Sequence, residues 1–168
     1  MKCSETAYIG LGGNLGDPPT TIQAALAVLR NAPGVYAMRV SSLYRTAPVD
    51  AIGPDFCNAV AEMKTDRQAE DLLLLLLRVE QQFGRERSTR NAPRTLDLDL
   101  IAFGATRLTA SDVTVPHPRA HLRAFVLIPI CELNAHVLLG PPQATALAPA
   151  GQWKSRLTEA QIKEVAPW

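Results

Sequence analysis

The segment Leu96-Asp97-Leu98-Asp99-Leu100-Ile101-Ala102-Phe103 alternates leucine with aspartate and then becomes wholly apolar. Alternation with a period of two is typical of a β-strand, because successive side chains point to opposite faces of a sheet. Asp97 and Asp99 are therefore expected to share one face, and the three leucines the other. The sequence thus predicts a strand that presents two carboxylates side by side.

The chain before this strand has the pattern of two helices and three strands. The predicted elements are a strand over residues 7–11, a helix capped by Asp17 that runs to about residue 32, a strand over 35–44, a strand over 56–63, and a helix that begins with a Thr65/Gln68 capping box and ends near Gly84. Six consecutive leucines in the second helix would also suit a buried strand, but the helix formers on both sides favour a helix. The order β-α-β-β-α-β is typical of a ferredoxin-like α+β fold.

The chain after residue 104 gives weaker signals. Residues 119–133 are predicted to be helical, with an interruption at Pro129. The tail after Gly140 is rich in proline, alanine and glutamine, and a last amphipathic helix is predicted over residues 153–165.

Composition limits the classes of protein that the chain could be. Its 168 residues suit a single domain over 1–168, and 47% apolar with 20% charged residues is typical of a globular protein. A net charge of only +1 disfavours nucleic-acid and membrane-surface binding. Three scattered cysteines encode no zinc ribbon or redox dithiol, and no segment reaches the length of a signal peptide or membrane span. We expect a cytoplasmic monomer.

The aspartate pair is the first candidate site. Two carboxylates on one strand face repel each other unless a cation lies between them. Mg²⁺ is the natural cation, because it prefers oxygen ligands and keeps positions open for phosphate oxygens. The alternative is that Asp97 and Asp99 only make that strand face polar.

An arginine cluster leads directly into this strand. It consists of Arg85, Arg87, Arg90 and Arg94, with Glu86 as the only nearby acid. A polyphosphate would relieve the repulsion among the guanidinium groups through charge-assisted hydrogen bonds. Arginines beside a metal-binding carboxylate pair suit phosphoryl or pyrophosphoryl transfer. A solvated loop paired with distant acids is the alternative.

Two further segments carry candidate binding residues. Phe56 and Asn58 follow an irregular loop and offer an aromatic face and a carboxamide, which would suit binding of a flat heterocycle. The alternative is that Phe56 is a core residue and that Asn58 caps the end of a strand. His117 and Arg123 could contact phosphate, whereas zinc ligation by His117 and His121 is disfavoured because Pro118 breaks the HExxH pattern. The chain contains neither a P-loop nor a G-x-G-x-x-G motif, so any ATP must be held by metals and arginines.

Five sequence blocks together resemble the 6-hydroxymethyl-7,8-dihydropterin pyrophosphokinase family over about residues 7–135. They are Tyr8-Ile9-Gly10-Leu11-Gly12-Gly13-Asn14-Leu15-Gly16-Asp17, Ser42-Leu43-Tyr44-Arg45-Thr46-Ala47-Pro48, Phe56-Cys57-Asn58-Ala59, Gly84-Arg85 with Arg87 and Pro93-Arg94-Thr95-Leu96-Asp97-Leu98-Asp99, and Val115-Pro116-His117-Pro118 with Arg123-Ala124-Phe125. A D-x-D pair alone is weak evidence, but its place within these blocks makes the resemblance specific.

The resemblance implies a fold, a reaction and a set of site residues. It implies an αβα sandwich with a ferredoxin-like core and a largely antiparallel sheet. It implies transfer of the β,γ-diphosphate of ATP to the hydroxymethyl oxygen of the pterin, with release of AMP and with two Mg²⁺ ions. The implied residues are Asp97 and Asp99 for metal, Arg85, Arg87, Arg94, His117 and Arg123 for ATP, Thr46, Pro48, Val49, Phe56, Asn58 and Phe125 for pterin, and Glu80 as a support of the metal region. Of these, Arg85, Arg94, Asp97 and Asp99 would be catalytic.

Two other functions remain compatible with the residues. A Mg²⁺-dependent phosphohydrolase could use the same aspartate pair and would break down ATP without a pterin. A ferredoxin-like regulatory domain would bind a ligand without Mg²⁺, although it would not need four arginines beside two aspartates.

Overall fold

The strands and helices follow the predicted order through residue 103. The structure is a computed structural model that describes residues 4–48, 53–84, 93–110 and 113–168. The strands are β1 Glu5–Gly13, β2 Val35–Val40, β3 Tyr44–Thr46, β4 Phe56–Thr65, β5 Asp97–Phe103, β6 Leu108–Thr109, β7 Thr114–Val115, β8 Leu138–Leu139, β9 Ala148–Pro149 and β10 Val165–Pro167. The α-helices are α1 Pro18–Arg30, α2 Ala69–Gln82, α3 Ala124–Leu133, α4 Ala150–Lys154 and α5 Glu159–Lys163, and a 3₁₀ helix spans Ala120–Leu122.

The main sheet has the topology of a ferredoxin-like fold. Its order is β10-β3-β4-β1-β5, with β2 also pairing with β4, and every pairing is antiparallel. Strand β1 therefore lies in the centre, between β4 and β5. The predicted α+β fold with a largely antiparallel sheet is confirmed.

Helices cover both faces of this sheet and bury two separate apolar clusters. On one face, Ile9, Leu98 and Leu100 pack with α1 and α2. On the other face, Tyr8 and Ile101 pack with α3 and α4. The strand pattern of 96–103 thus has the predicted orientation, since its leucines are buried on the α1/α2 face while Asp97 and Asp99 stay half-exposed on the other.

The predicted start of α1 is confirmed and that of α2 is wrong. The side chain of Asp17 accepts a hydrogen bond from the Thr20 backbone N–H at 3.2 Å and caps α1. Thr65 ends β4 instead of capping α2, because its hydroxyl donates to the Gly34 carbonyl at 2.6 Å and accepts from the Arg67 N–H at 3.1 Å. The N-cap residue Gln68 makes no side-chain capping bond.

The predicted strand over 35–44 is two strands separated by a bulge. Val40 pairs with Ala61 and Tyr44 with Asn58, so three residues of this chain segment oppose two of β4. Glu132 of α3 holds the bulge, because its carboxylate accepts from the Ser42 backbone N–H at 2.9 and 3.0 Å, from the Ser42 hydroxyl and from the Tyr44 hydroxyl. Residues 44–46, of which 45 and 46 were expected in the following loop, therefore belong to the sheet.

The C-terminal third also differs from the prediction. The helix over 119–133 is interrupted at Arg123, which separates the 3₁₀ helix from α3, and Pro129 lies inside α3. The predicted helix over 153–165 is instead two short helices and an edge strand, α4, α5 and β10. Across the described ranges, no helix combines the length and the apolar character needed to cross a membrane.

Candidate active site

A cavity of about 560 Å³ opens on the α3/α4 face of the sheet. Its walls come from β1, β3, β4, β5, the turn around residues 117–123, the start of α3, and the C-terminal segment. The residues singled out from the sequence that line it are Thr46, Phe56, Asn58, Arg94, Asp97, Asp99, His117, Arg123 and Phe125. Sequence blocks from residue 10 to residue 125 thus meet in one space.

The floor of the cavity consists of rows that run across three strands. Gly12 of β1 lies opposite Asn58 of β4 on one side and opposite Asp97 of β5 on the other. Directly paired residues point to the same face, so Asn58 and Asp97 face the cavity about 10 Å apart, with a glycine between them. A methyl group on Gly12 would lie 3.0 Å from Asn58 Oδ1, so glycine keeps the floor open.

Gly10 occupies the corresponding position in the next row. It lies between Val60 of β4 and Asp99 of β5. Two glycines with one intervening residue therefore leave a flat, backbone-lined surface between the amide and the carboxylates. The G-x-G spacing of Gly10 and Gly12 within a predicted strand is the signal in the sequence for this surface.

The carboxylates lie among cationic side chains. Arg94 donates from Nη1 to Asp97 Oδ1 at 2.8 Å, and both side chains are less than a third exposed. The electrostatic influence of Asp97 and Asp99 also reaches Arg123 across the cavity. We call this part of the cavity, with Arg94, Asp97, Asp99, His117, Arg119 and Arg123, the arginine end.

Asn14 fixes the backbone that carries Arg94. Its side-chain oxygen accepts from the Arg94 N–H at 2.9 Å, its own N–H donates to the Arg94 carbonyl at 3.0 Å, and its amide nitrogen donates to the Pro54 carbonyl at 3.2 Å. Asn14 is only 4% exposed. A buried residue that satisfies two backbone groups with its side chain and a third with its own N–H is a rigid support, so the segment before β5 is held against the end of β1.

Glu80 supports β5 from the opposite face of the sheet. Its carboxylate is fully buried on α2 and accepts from the Leu98 backbone N–H at 2.7 Å. Leu98 lies between the two aspartates, so this bond fixes the backbone from which both carboxylates project. Glu80 does not line the cavity.

His117 is held as a neutral ring. Burial, with Arg123 and Arg119 nearby, lowers its pKa from 6.5 to about 4. Its Nδ1 accepts a hydrogen bond from the Arg119 backbone N–H at 3.1 Å, so the ring proton is on Nε2. His117 therefore offers a neutral N–H donor in the cavity at neutral pH. Burial also lowers the pKa of the Arg123 guanidinium.

The opposite part of the cavity is uncharged on its sheet side. Asn58 Nδ2 donates to Thr46 Oγ1 at 2.7 Å, and both residues are buried. This bond leaves Asn58 Oδ1 as an acceptor and the Thr46 hydroxyl proton as a donor. We call this part, with Thr46, Phe56 and Asn58, the amide end. Phe125 contributes a second ring, over which the Arg123 guanidinium lies 5.4 Å from the ring centroid.

A model of the 7,8-dihydro-6-hydroxymethylpterin-pyrophosphokinase family matches residues 8–135, which include every block of this cavity except its C-terminal wall. The chain belongs to this family. The family resemblance inferred from the sequence is thereby confirmed. Residues 136–168, including α4, α5 and β10, lie beyond the matched region.

Curated relatives of the pyrophosphokinase family agree with this membership. These relatives are named 2-amino-4-hydroxy-6-hydroxymethyldihydropteridine pyrophosphokinase. The protein from Synechocystis is 40% identical over 127 residues, which cover 76% of this chain and 65% of the relative. The protein from Bacillus subtilis is 40% identical over 132 residues, which cover 78% of this chain and 79% of the relative. The Pseudomonas aeruginosa relative is 41% identical over 130 residues, with 77% and 80% covered. The chain thus spans just under two thirds of the Synechocystis relative.

Solved structures of pyrophosphokinase-containing chains share the fold. A Plasmodium falciparum HPPK-DHPS with pterin and p-hydroxybenzoate has a TM-score of 0.70 at 12% identity, with 96% of this chain and 44% of that chain covered. An HPPK-DHPS in complex with substrates has a TM-score of 0.75 at 11% identity, with 97% and 46% covered. At these identities the likeness concerns the fold alone. This chain corresponds to less than half of either protein.

Some residues that the pyrophosphokinase resemblance implied are not among the described residues that line the cavity. Arg85, Arg87 and Val49 lie outside the described residues, as does Arg90 of the arginine cluster. Pro48 does not line the cavity, whereas its neighbour Ala47 does.

The cavity also contains residues that sequence analysis missed. They are Gly10, Gly12, Ile101, Arg119, Gln161, Glu164 and Val165. Gln161, Glu164 and Val165 belong to the tail, for which the sequence predicts one helix, and no local pattern indicates that its end pairs with β3 beside the cavity.

Proposed function

We propose that this protein transfers the β,γ-diphosphate of ATP to the hydroxymethyl oxygen of 6-hydroxymethyl-7,8-dihydropterin, with AMP as the second product, as a step of folate biosynthesis. The observation that carries the proposal is the row from Asn58 across Gly12 to Asp97. In this row the uncharged amide of Asn58 lies about 10 Å from the carboxylate of Asp97. This distance is about the span of a two-ring heterocycle with a short substituent.

The amide end is suited to the pterin ring. Asn58 Oδ1 and the Thr46 hydroxyl supply an acceptor and a donor next to each other, and the edge of a pterin carries both kinds of group. Phe56 and Phe125 line the same cavity and would stack on the two faces of the ring. The bond between Asn58 and Thr46 fixes the amide before the substrate arrives, which lowers the entropy cost of binding.

The arginine end is suited to the triphosphate. Arg94 and Arg123 would bind phosphate oxygens through charge-assisted bonds, and the His117 Nε2–H would add a neutral donor. Arg85 and Arg87, which precede this end in the sequence, are proposed to join them. In the reaction a bond forms between the hydroxymethyl oxygen and the β-phosphorus. The bond from that phosphorus to the oxygen bridging it to the α-phosphate breaks, and AMP leaves with this oxygen.

Asp97 and Asp99 fit the requirements of Mg²⁺. Both carboxylates are half-buried, face the cavity and project from a strand that is held by Glu80 and by pairing with β1. A pair of carboxylates suits Mg²⁺, because this ion completes its coordination with phosphate oxygens and water. We propose that the two aspartates hold two Mg²⁺ ions, which neutralise phosphate charge when bound.

The protein's own groups position the reactants. The floor of Gly10 and Gly12 lets the ring lie against the backbone, and the Asn14 support fixes the Arg94 segment relative to it. Bringing an alcohol and a phosphorus together in a fixed geometry supplies much of the rate enhancement in such reactions. No side-chain base is required by this proposal.

We further propose that the chain acts as a monomeric single domain in the cytoplasm. The described free cysteines, Cys57 and Cys131, suit a reducing compartment, and burial raises the pKa of Cys57 to about 11, which keeps it unreactive.

The test is to incubate the protein with ATP, Mg²⁺ and 6-hydroxymethyl-7,8-dihydropterin and to separate the nucleotides. We expect AMP and the pterin diphosphate in equal amounts, and only when the pterin is present. Formation of ADP or phosphate irrespective of the pterin would instead favour the phosphohydrolase. Pterin binding that needs no Mg²⁺ and yields no product would favour a regulatory domain.

A further inference from the structure

The C-terminal segment 158–168 forms the outer wall of the cavity at the amide end. Val165 of β10 pairs with Thr46 of β3, which pairs with Phe56 of β4. Gln161, Glu164 and Val165 line the same cavity as Asn58 and Asp97. The register of the sheet therefore puts this wall next to the amide end and separates it from the carboxylates by β3, β4 and β1.

This segment is firmly attached to the domain. β10 makes three residue pairs with β3, and the Trp168 N–H donates to the Leu43 carbonyl at 3.0 Å. The Arg45 guanidinium also lies 4.7 Å from the centroid of the Trp168 ring. These contacts hold Val165 and the residues after it, and on the other side the Glu164 N–H donates to the Ala160 carbonyl at 3.1 Å, so the backbone of Glu164 is fixed.

Two polar groups of this wall are available to a ligand. The Gln161 side-chain oxygen accepts a hydrogen bond from the Thr158 backbone N–H at 3.0 Å, and the Gln161 backbone N–H donates to the Thr158 hydroxyl. This capping box at the start of α5 orients the Gln161 side chain. Its amide nitrogen donates to no described residue. The Glu164 carboxylate likewise makes no hydrogen bond or ion pair within the part of the chain that the structure describes.

The charge of the wall distinguishes the two ends of the cavity. Arg94, Arg119 and Arg123 belong to the arginine end, whereas the amide end has the anionic Glu164 at its outer wall. A carboxylate disfavours a triphosphate nearby but accepts hydrogen bonds from N–H groups of a neutral heterocycle.

We propose that Glu164 is a specificity-determining residue for the pterin, and that its carboxylate accepts a hydrogen bond from the exocyclic amino group of the pterin ring. Gln161 lies beside it as a donor for an acceptor on the same ring edge. This inference rests on the proposed function and adds to the site a wall from beyond the family-matched residues 8–135.

The experiment compares Glu164→Gln with the matched control Glu159→Gln. Glu159 begins α5, the short helix that Glu164 follows directly, but it is outside the cavity wall, with its side chain 92% exposed. Calorimetry measures the dissociation constants of the pterin and, separately, of a non-hydrolysable ATP analogue. We expect Glu164→Gln to weaken pterin binding about five- to tenfold, as for a partly exposed hydrogen bond to a charged group, and to leave nucleotide binding and the thermal midpoint unchanged. Glu159→Gln should behave like the wild type.

A pterin analogue that lacks the exocyclic amino group identifies the bond. For this analogue, Glu164→Gln and wild type should bind within about twofold of each other, because the group that Glu164 recognises is absent. The inference is overturned if Glu164→Gln binds pterin like the wild type, if it weakens the nucleotide equally, or if its loss persists with the analogue. Wild-type protein that fails to bind pterin would instead refute the proposed function.

Discussion

Replacing His117 with asparagine should remove a large part of the acid sensitivity of the folded protein. The ring is half-buried, and burial together with Arg123 and Arg119 lowers its pKa from 6.5 to about 4. Asparagine does not titrate, and its side-chain oxygen can accept the hydrogen bond that the Arg119 N–H now donates to the ring. The substitution therefore removes the titration while it keeps the local bond.

The sign and size follow from the two pKa values. Because the folded-state pKa is the lower one, the unfolded chain binds a proton more readily between pH 6.5 and about pH 4, and stability falls as the pH falls through this window. A shift of this size corresponds to about 3.4 kcal/mol once the window is crossed completely. Between about pH 7 and about pH 5, the contribution of His117 is about 2 kcal/mol.

The assay is urea unfolding of the ligand-free protein at these two pH values, followed by circular dichroism. Wild type should lose about 2 kcal/mol more free energy of unfolding than His117→Asn on going from about pH 7 to about pH 5. His136→Asn is the matched control, because the side chain of His136 is exposed. Its pH dependence should be that of the wild type.

Equal losses for wild type and His117→Asn would refute the reasoning. Such a result would mean that the ring takes up its proton in the folded protein as easily as in the unfolded chain. The conclusion that burial and the neighbouring arginines keep the His117 ring neutral below pH 6.5 would then be wrong as well.

Three other substitutions test the geometry of the site. Asp97→Ala should reduce AMP formation at least about 100-fold because a metal ligand is lost, with little change in the thermal midpoint, and activity within about tenfold of the wild type would contradict the role. Glu80→Ala should lower the free energy of unfolding by about 3 kcal/mol, measured in urea, because a buried backbone N–H of β5 loses its acceptor and a cavity remains. Gly12→Ala should raise the dissociation constant of the pterin about tenfold, since the new methyl group would lie 3.0 Å from Asn58 Oδ1, while binding of an ATP analogue stays unchanged.

The ferredoxin-like core could be predicted because its signals are local. The alternation of residues 96–103, the cap at Asp17 and the glycine near residue 84 each act within a few residues, and short-range geometry is what a single sequence reports well. The same holds for Asp97 and Asp99, because two positions on one strand share a face whatever the rest of the fold does.

Errors occurred where a distant partner overrides the local pattern. Residues 35–44 have the composition of one strand, but Glu132 holds a bulge at residues 41–43 through bonds that span about 90 positions. Thr65 has the spacing of a capping box, but its hydroxyl donates a hydrogen bond to the Gly34 carbonyl instead. Val165 to Pro167 are extended because they pair with the edge of β3, and no local sequence pattern indicates this pairing.

The amino-acid order alone determined the helices and strands of the core, the pairing of two acids on one strand face, and the family of the chain. Tertiary structure decided that Asn58, Gly12 and Asp97 form one row, that Glu80 fixes this row from behind, and that the C-terminal segment closes the cavity. The physical reason is sequence distance: secondary structure depends on neighbours along the chain, whereas a site depends on which strands lie side by side in the folded sheet.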